Sequence, residues 1–288
     1  MIAAPALEKP FVAGAAGILS AALVAAPSRG IAGVEPIQGE SHAIADRAHD
    51  QHLVFAGRLN SLGVRCIELK QLELFDGAVT IADSAVVVRD GAILMRPSNP
   101  SRRGELAAVE AALEAAGVPI VGRIEAPGLL DGGDVLYGGD ALYVAVPKDD
   151  RSLIGIPPGV RGNAAGRGQL ARIAQTIGLR VVDVGISAQI RRLGSVASFI
   201  GPNTILVAPS VVDCVPLQAF ERIEVERGEE RGAGVLALGN RRVIANLRFR
   251  TVLPGLQRAG YTVDALDLWD FGRLGITPSL LALALKRS

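Results

Sequence analysis

Two hydrophobic rhythms alternate along this chain. Runs dense in apolar residues span Ala85 to Arg96, Val135 to Val146, Val196 to Ala208 and Gly234 to Leu247. Each is broken near its middle by turn residues: Arg89-Asp90-Gly91, Gly138-Gly139-Asp140, Gly201-Pro202-Asn203 and Gly239-Asn240. That pattern predicts four β-hairpins. Between them the period lengthens to that of a helix. Ser41 to Leu62 is predicted helical, with Ser41 as cap and Ile44, Ala48, Phe55 and Leu59 on one stripe. Arg102 to Ala116 is predicted helical, with Ser101 as cap and Leu106, Val109 and Leu113 as the buried face.

A helix, a glycine and a short apolar strand follow one another at Gly63, Gly117, Gly178 and Gly260. Each glycine sits where a helix end favours a left-handed residue. The intervals are 54, 61 and 82 residues, and the last is wide enough to hold a degenerate copy. A repeat of this length predicts about five units, each with a strand, a hairpin and a helix. Five such units in a ring enclose an axis, so that inward loops share one pocket.

The connecting stretches fit this plan. Lys148 to Val160 is charged, then rich in Pro and Gly, and reads as an inserted surface loop; Glu221 to Arg231 reads as a solvated strand edge. Phe11 to Pro27 carries no charge, but only Lys9 and the α-amino group precede it as cations, offset by Glu8. A strand is therefore expected over an export signal, and the run is short and rich in Gly and Ala for a membrane span. Residues 1–20 are set apart as an N-terminal extension whose apolar surface could cover a partner copy, and 21–288 as one domain.

Composition narrows the function classes. A net charge of +1 and 4% aromatic residues give neither electrostatic capture of nucleic acid nor a stacking platform for bases. Two cysteines, Cys66 and Cys214, offer no disulfide framework and no zinc spacing, which suits the cytoplasm. The three histidines, His42, His49 and His52, fall together on the first helix and read as a polar face rather than a metal site. No cofactor is expected; the partner is a small molecule.

The chemistry concentrates in Leu130-Asp131-Gly132-Gly133-Asp134-Val135, at the entry to the second hairpin. The glycine pair requires positive φ or a close backbone approach. Asp131 and Asp134 then either reach into a cavity or cap turns through their own backbone.

These residues, with Arg96-Pro97 through Ser101-Arg102-Arg103-Gly104-Glu105 and Ile124-Glu125-Ala126-Pro127, resemble the dimethylarginine dimethylaminohydrolases of the guanidine-modifying superfamily of arginine deiminases and amidinotransferases. The resemblance runs from about Ala22 to about Leu283 and is densest between Asp83 and Asp134. It implies the pentein fold, a five-bladed α/β propeller of ββαβ-type units. It also implies a site in which an acidic pair clasps a substrate guanidinium, arginines hold its carboxylate, a cysteine attacks the guanidine carbon and a histidine shuttles protons. On that pattern Asp83 and Asp131 are the acidic pair, with Asp134 beside them. Arg102 is one carboxylate-binding arginine, and Arg161, in Arg161-Gly162-Asn163, is the second.

Two positions depart from the family. Arg192 stands where the resemblance places the histidine, and Gly275-Ile276-Thr277-Pro278-Ser279 where it places the cysteine, so that Ser279 is the adjacent hydroxyl. The sequence therefore predicts a divergent member that binds a small polar ligand without covalent thiol hydrolysis. One alternative is a hydrolase or lyase on a small C–N or carboxylate substrate, using Asp131 or Asp83 as general base and Arg192 to stabilise developing charge. Another is a structural or interaction propeller.

Overall fold

The computed structural model describes residues 5–72, 74–148 and 162–288, so the loop expected at 148–160 lies outside the described residues from position 149 onward. Strand β1 (Leu19–Val24) runs parallel to β2 (Arg65–Glu68), with helix α1 (Ala45–Ser61) crossing between them. A three-stranded unit follows: β3 (Ala85–Val87), antiparallel to β4 (Ala92–Leu94), which is parallel to β5 (Ile120–Arg123) after helix α2 (Leu106–Ala115). The same unit recurs as β6 (Val135–Tyr137), β7 (Ala141–Pro147), α3 (Ala164–Thr176) and β8 (Arg180–Ile186). It recurs again as β9 (Ala197–Gly201), β10 (Thr204–Val207) and β11 (Glu221–Glu224), and as β12 (Leu236–Gly239), β13 (Arg242–Asn246), α4 (Val252–Arg258) and β14 (Thr262–Leu266). After the short α5 (Trp269–Arg273), the last strand, β15 (Ala282–Arg287), returns to pair antiparallel with β1.

Five three-stranded sheets thus form five blades among the described residues. The first blade takes its inner strand from the end of the chain and its other two from the beginning, so the ring is closed by backbone hydrogen bonds. The four predicted hairpins are present, and Gly63, Gly117, Gly178 and Gly260 all have φ between 72° and 83°. The degenerate copy lies in the fourth blade. There a 3-10 turn at Val215–Leu217 replaces the crossover helix, and Phe220 packs edge-to-face on Phe199 and Tyr143 at 4.8 and 5.6 Å between ring centres. Aromatic pairs of this kind contribute about 0.5–1.5 kcal/mol beyond their buried area.

Three helix details differ from the sequence expectation. The first helix begins at Ala45 without a side-chain cap, and Ile44 is exposed rather than buried, because the carboxylate of Asp270 accepts the Ile44 N–H and anchors the entry. The second begins as a 3-10 turn at Pro100–Glu105, capped by Asn99 rather than Ser101. Residues 5–18 lie against the propeller: Phe11 and Val12 are buried, and the Phe11 N–H bonds to the Arg89 carbonyl. No helix among the described residues is long and apolar enough to cross a membrane.

His42 precedes α1, and His52 is not on a polar face. His52 is fully buried, with no hydrogen-bond partner for either ring nitrogen. Burial, then the neighbouring His49, pushes its pKa down to about 4. A pKa depressed below the unfolded value of about 6.5 means that the unfolded chain takes up the proton first. Stability is therefore complete above that value and falls as pH drops toward 4, by about 3 kcal/mol from this residue. Urea titrations at pH 7 and pH 4 should show that increment in the wild type and its loss in His52→Leu; equal pH dependence in both proteins would refute it.

Candidate functional site

Each inner strand is preceded by a short 3-10 turn: Ile81–Asp83, Gly132–Asp134, Leu193–Ser195, Glu230–Ala233 and Pro278–Leu280. These turns gather around the propeller axis. Because one comes from each blade, residues far apart in sequence meet there. Asp83 comes from the first turn, Asp131 and Asp134 flank and end the second, Arg192 caps the third, and Ser279 lies within the last.

Asp83 is the centre of a buried ion cluster. The Arg192 Nε–H donates to both of its carboxylate oxygens, at 2.7 and 2.8 Å, and Arg192 Nη2 adds a third bond. Arg102 bonds to the same carboxylate through Nη1, and Thr80 Oγ1 donates to it at 2.8 Å. Burial alone would raise the Asp83 pKa, but Arg192 and then Arg102 outweigh it and hold the carboxyl well below the usual range. The same contact raises the pKa of Arg192 against its own desolvation.

Arg102, expected to grip a ligand carboxylate, directs its donors inward. Its Nε and Nη2 form a two-pronged bond to Glu105, at 2.9 and 2.8 Å, and Nη2 also donates to the Thr80 carbonyl. Glu105 and Thr80 are site residues that the sequence reading passed over. Glu105 stands three positions after Arg102, the spacing at which side chains on one helical face meet, and that signal was available.

The two aspartates of the glycine motif do not cap their own turn. Asp131 accepts from the Ser98 N–H and Ser98 Oγ, both at 2.9 Å, tying the second hairpin's entry to the preceding blade. Asp134 is fully buried and accepts one bond, from the Leu193 N–H at 3.2 Å, while its other oxygen has no partner. Burial, then the charge of Asp131, pushes its pKa well above the usual carboxylate range.

The glycine pair serves close approach and not positive φ, for neither residue is left-handed. A Cβ on Gly132 would come within 2.2 Å of the Ala82 carbonyl oxygen, and one on Gly133 within 2.6 Å of the Asp83 carboxylate. Only backbone without side chains lets the second turn lie against the first. The Gly133 N–H then donates to Asp83 at 3.3 Å.

A cavity of about 340 Å³ opens over the cluster, lined by Glu35, Asp76, Thr80, Arg102, Arg191 and Arg192, with Leu274 and Ile276 as its apolar wall. Asp83, Asp131 and Asp134 are not on its surface; they lie beneath the arginines. Ser279 Oγ bonds to the Gly194 carbonyl at 2.7 Å and faces a different cavity. Arg161 lies outside the described residues. Cys66 is in β2, an outer strand, and Cys214 precedes the 3-10 turn of the fourth blade. No group of three or more metal-binding side chains occurs among the described residues.

What the chain is similar to bears on this arrangement. No protein-family profile matches it. An N(G),N(G)-dimethylarginine dimethylaminohydrolase of Streptomyces coelicolor is 30% identical over 239 residues, covering 83% of this chain and 86% of that one. The protein of the same description from Pseudomonas aeruginosa is 27% identical over 237 residues, covering 82% and 88%. A solved dimethylarginine dimethylaminohydrolase, a histidine-to-glycine variant as an adduct with S-methyl-L-thiocitrulline, superposes with a TM-score of 0.81 at 24% identity, over 92% of this chain and 99% of that one. The five-bladed α/β fold, the glycine motif at the axis and the extent of shared sequence together make this chain a member of the dimethylarginine dimethylaminohydrolase family.

Proposed function

We propose that this protein is a ligand-binding member of the family in which covalent thiol hydrolysis is lost, and that its central cavity takes a small carboxylate or neutral polar molecule rather than a guanidinium. One observation carries the reading. The acid that the family resemblance assigns to the substrate guanidinium, Asp83, already holds a guanidinium, that of Arg192. The cavity wall carries Arg102, Arg191 and Arg192 beside Glu35 and Asp76, and a charge-assisted bond from an arginine to an anion is worth roughly 1.5–3 kcal/mol.

The remaining chemistry agrees. The thiol of Cys66 is pushed up to about 11 by burial and then by Glu68, and burial raises that of Cys214 also, so both are poor nucleophiles near neutral pH. Neither lines the cavity, nor does a histidine. Ser279 spends its hydroxyl proton on a backbone carbonyl and has no base beside it.

The alternative of a hydrolase or lyase with a carboxylate base has less support. Asp83 is too weakly basic, and Asp131 is engaged by Ser98. The open, charged cavity favours ligand binding over a purely structural propeller. Two free cysteines fit a cytoplasmic protein.

A thermal-shift panel of arginine, methylarginines, citrulline, dicarboxylates and small amides tests the proposal. A ligand at 100 times its Kd adds about 2.7 kcal/mol, a rise of several degrees. An anionic or neutral member should produce it, and arginine and the methylarginines should not. Silence from the whole panel would sink the proposal. Turnover of any member that Asp131→Asn abolishes would establish the general-base alternative in its place.

A further inference from the structure

A second cavity, of about 170 Å³, runs along the axis beyond the buried ion cluster. It is lined from the inner strands of all five blades, chiefly by apolar side chains such as Val87, Phe199, Leu236 and Leu283. The inner strands all leave the 3-10 turns in the same direction. The first cavity meets the chain before those turns, and this one meets the strands after them. The aspartates and arginines of the cluster therefore separate the two.

One cation stands in this apolar channel. Arg287, at the end of β15, is only 5% exposed. Its Nη1 donates to the Gly17 carbonyl at 2.8 Å and its Nη2 to the Ala237 carbonyl at 2.9 Å. Of the five N–H donors of a guanidinium, the others have no acceptor among the described residues. Among those residues it has no carboxylate partner either, in contrast to the buried Arg102 and Arg192. Desolvation without compensation pushes its pKa down to about 10, so the group remains charged at neutral pH. A buried charge without a counterion costs several kcal/mol.

A second polar group faces the same space. Ser198 Oγ, on β9, is buried and has no hydrogen-bond partner. A fixed cation and a spare hydroxyl, in a channel whose other polar side chains, Ser279 and Tyr137, already donate to backbone carbonyls, match a molecule with an anionic head and a hydrocarbon tail. We propose that the axial channel opposite the ion cluster is a binding site for a short-chain carboxylate, its head held by the Arg287 guanidinium and Ser198 Oγ and its tail by the apolar walls.

The site is separate from the central cavity, and its test does not depend on the function proposed above. The full chain is titrated with acetate, butyrate, hexanoate and inorganic phosphate, read by calorimetry and by the NMR signal of the Arg287 Nε–H. Butyrate or hexanoate should bind saturably and shift that signal, acetate should bind more weakly, and phosphate should fail to compete. In Arg287→Met binding should weaken at least tenfold. In Ser198→Val, which keeps the cation, it should weaken several-fold, so that the conclusion survives if the arginine variant does not fold. The proposal is overturned if no carboxylate shifts the Arg287 signal, if phosphate binds as well as butyrate, or if neither variant changes the affinity.

Discussion

Incubated with asymmetric dimethylarginine, the protein is expected to release no citrulline above the spontaneous rate. A thiol mechanism needs a nucleophile aimed at the guanidine carbon and a group to carry protons, and removing such a group costs about 10⁴ to 10⁶ in rate. Here the thiols of Cys66 and Cys214 sit in the outer part of the first blade and beside the fourth-blade turn, and the histidines belong to the segment at 42–52. The central cavity instead presents Arg102, Arg191 and Arg192. A cationic substrate thus meets three arginines there beside Glu35 and Asp76, and the acid that would clasp its guanidinium is already bonded to Arg192. Colorimetric citrulline detection after overnight incubation, beside a relative with both groups in place, is sufficient. A rate within a hundredfold of that relative would show that a nucleophile has been misassigned.

Asp83→Asn is expected to destabilise the fold by roughly 3–5 kcal/mol, the usual consequence of breaking a buried ion pair from one side. Arg192 is buried and, among the described residues, its side chain bonds to Asp83, so the substitution strands a charge that is largely withdrawn from water. Arg102 fares better because Glu105 and Thr80 still hold it. Chemical denaturation at neutral pH measures the loss, and a change under 1 kcal/mol would mean the cluster relaxes. The converse variant tests the idea that Arg192 takes the place of a ligand. Arg192→Ala leaves a guanidinium-shaped gap against a carboxylate that Arg102, Thr80 and Gly133 still orient. Free arginine or methylguanidine should raise the melting temperature of that variant and leave the wild type unmoved.

The repeat was legible because its signals are local. Hairpin turns, helix stripes and the glycines that end helices depend on neighbours a few residues apart, so they indicate five units without any long-range contact. Helix entries were less legible, since the first is anchored by Asp270, more than two hundred positions away. His52 is buried where the sequence predicts a polar face for a similar reason: the helical stripe does not reveal that a neighbouring element covers it. The glycine pair between Asp131 and Asp134 was recognised as special, but sequence left two causes open, and only the packing of one turn on another selects close approach.

By itself, then, the sequence determined the number and kind of units and the family, because these follow from local pattern and identity. The tertiary structure decided what those residues face. It turned Arg102 inward to Glu105, laid Arg192 on Asp83 and put the three aspartates beneath the cavity instead of on its wall. The reason is geometric. The axial residues come from different blades, and only closure of the ring, where the last strand pairs with the first, brings their charges within bonding distance.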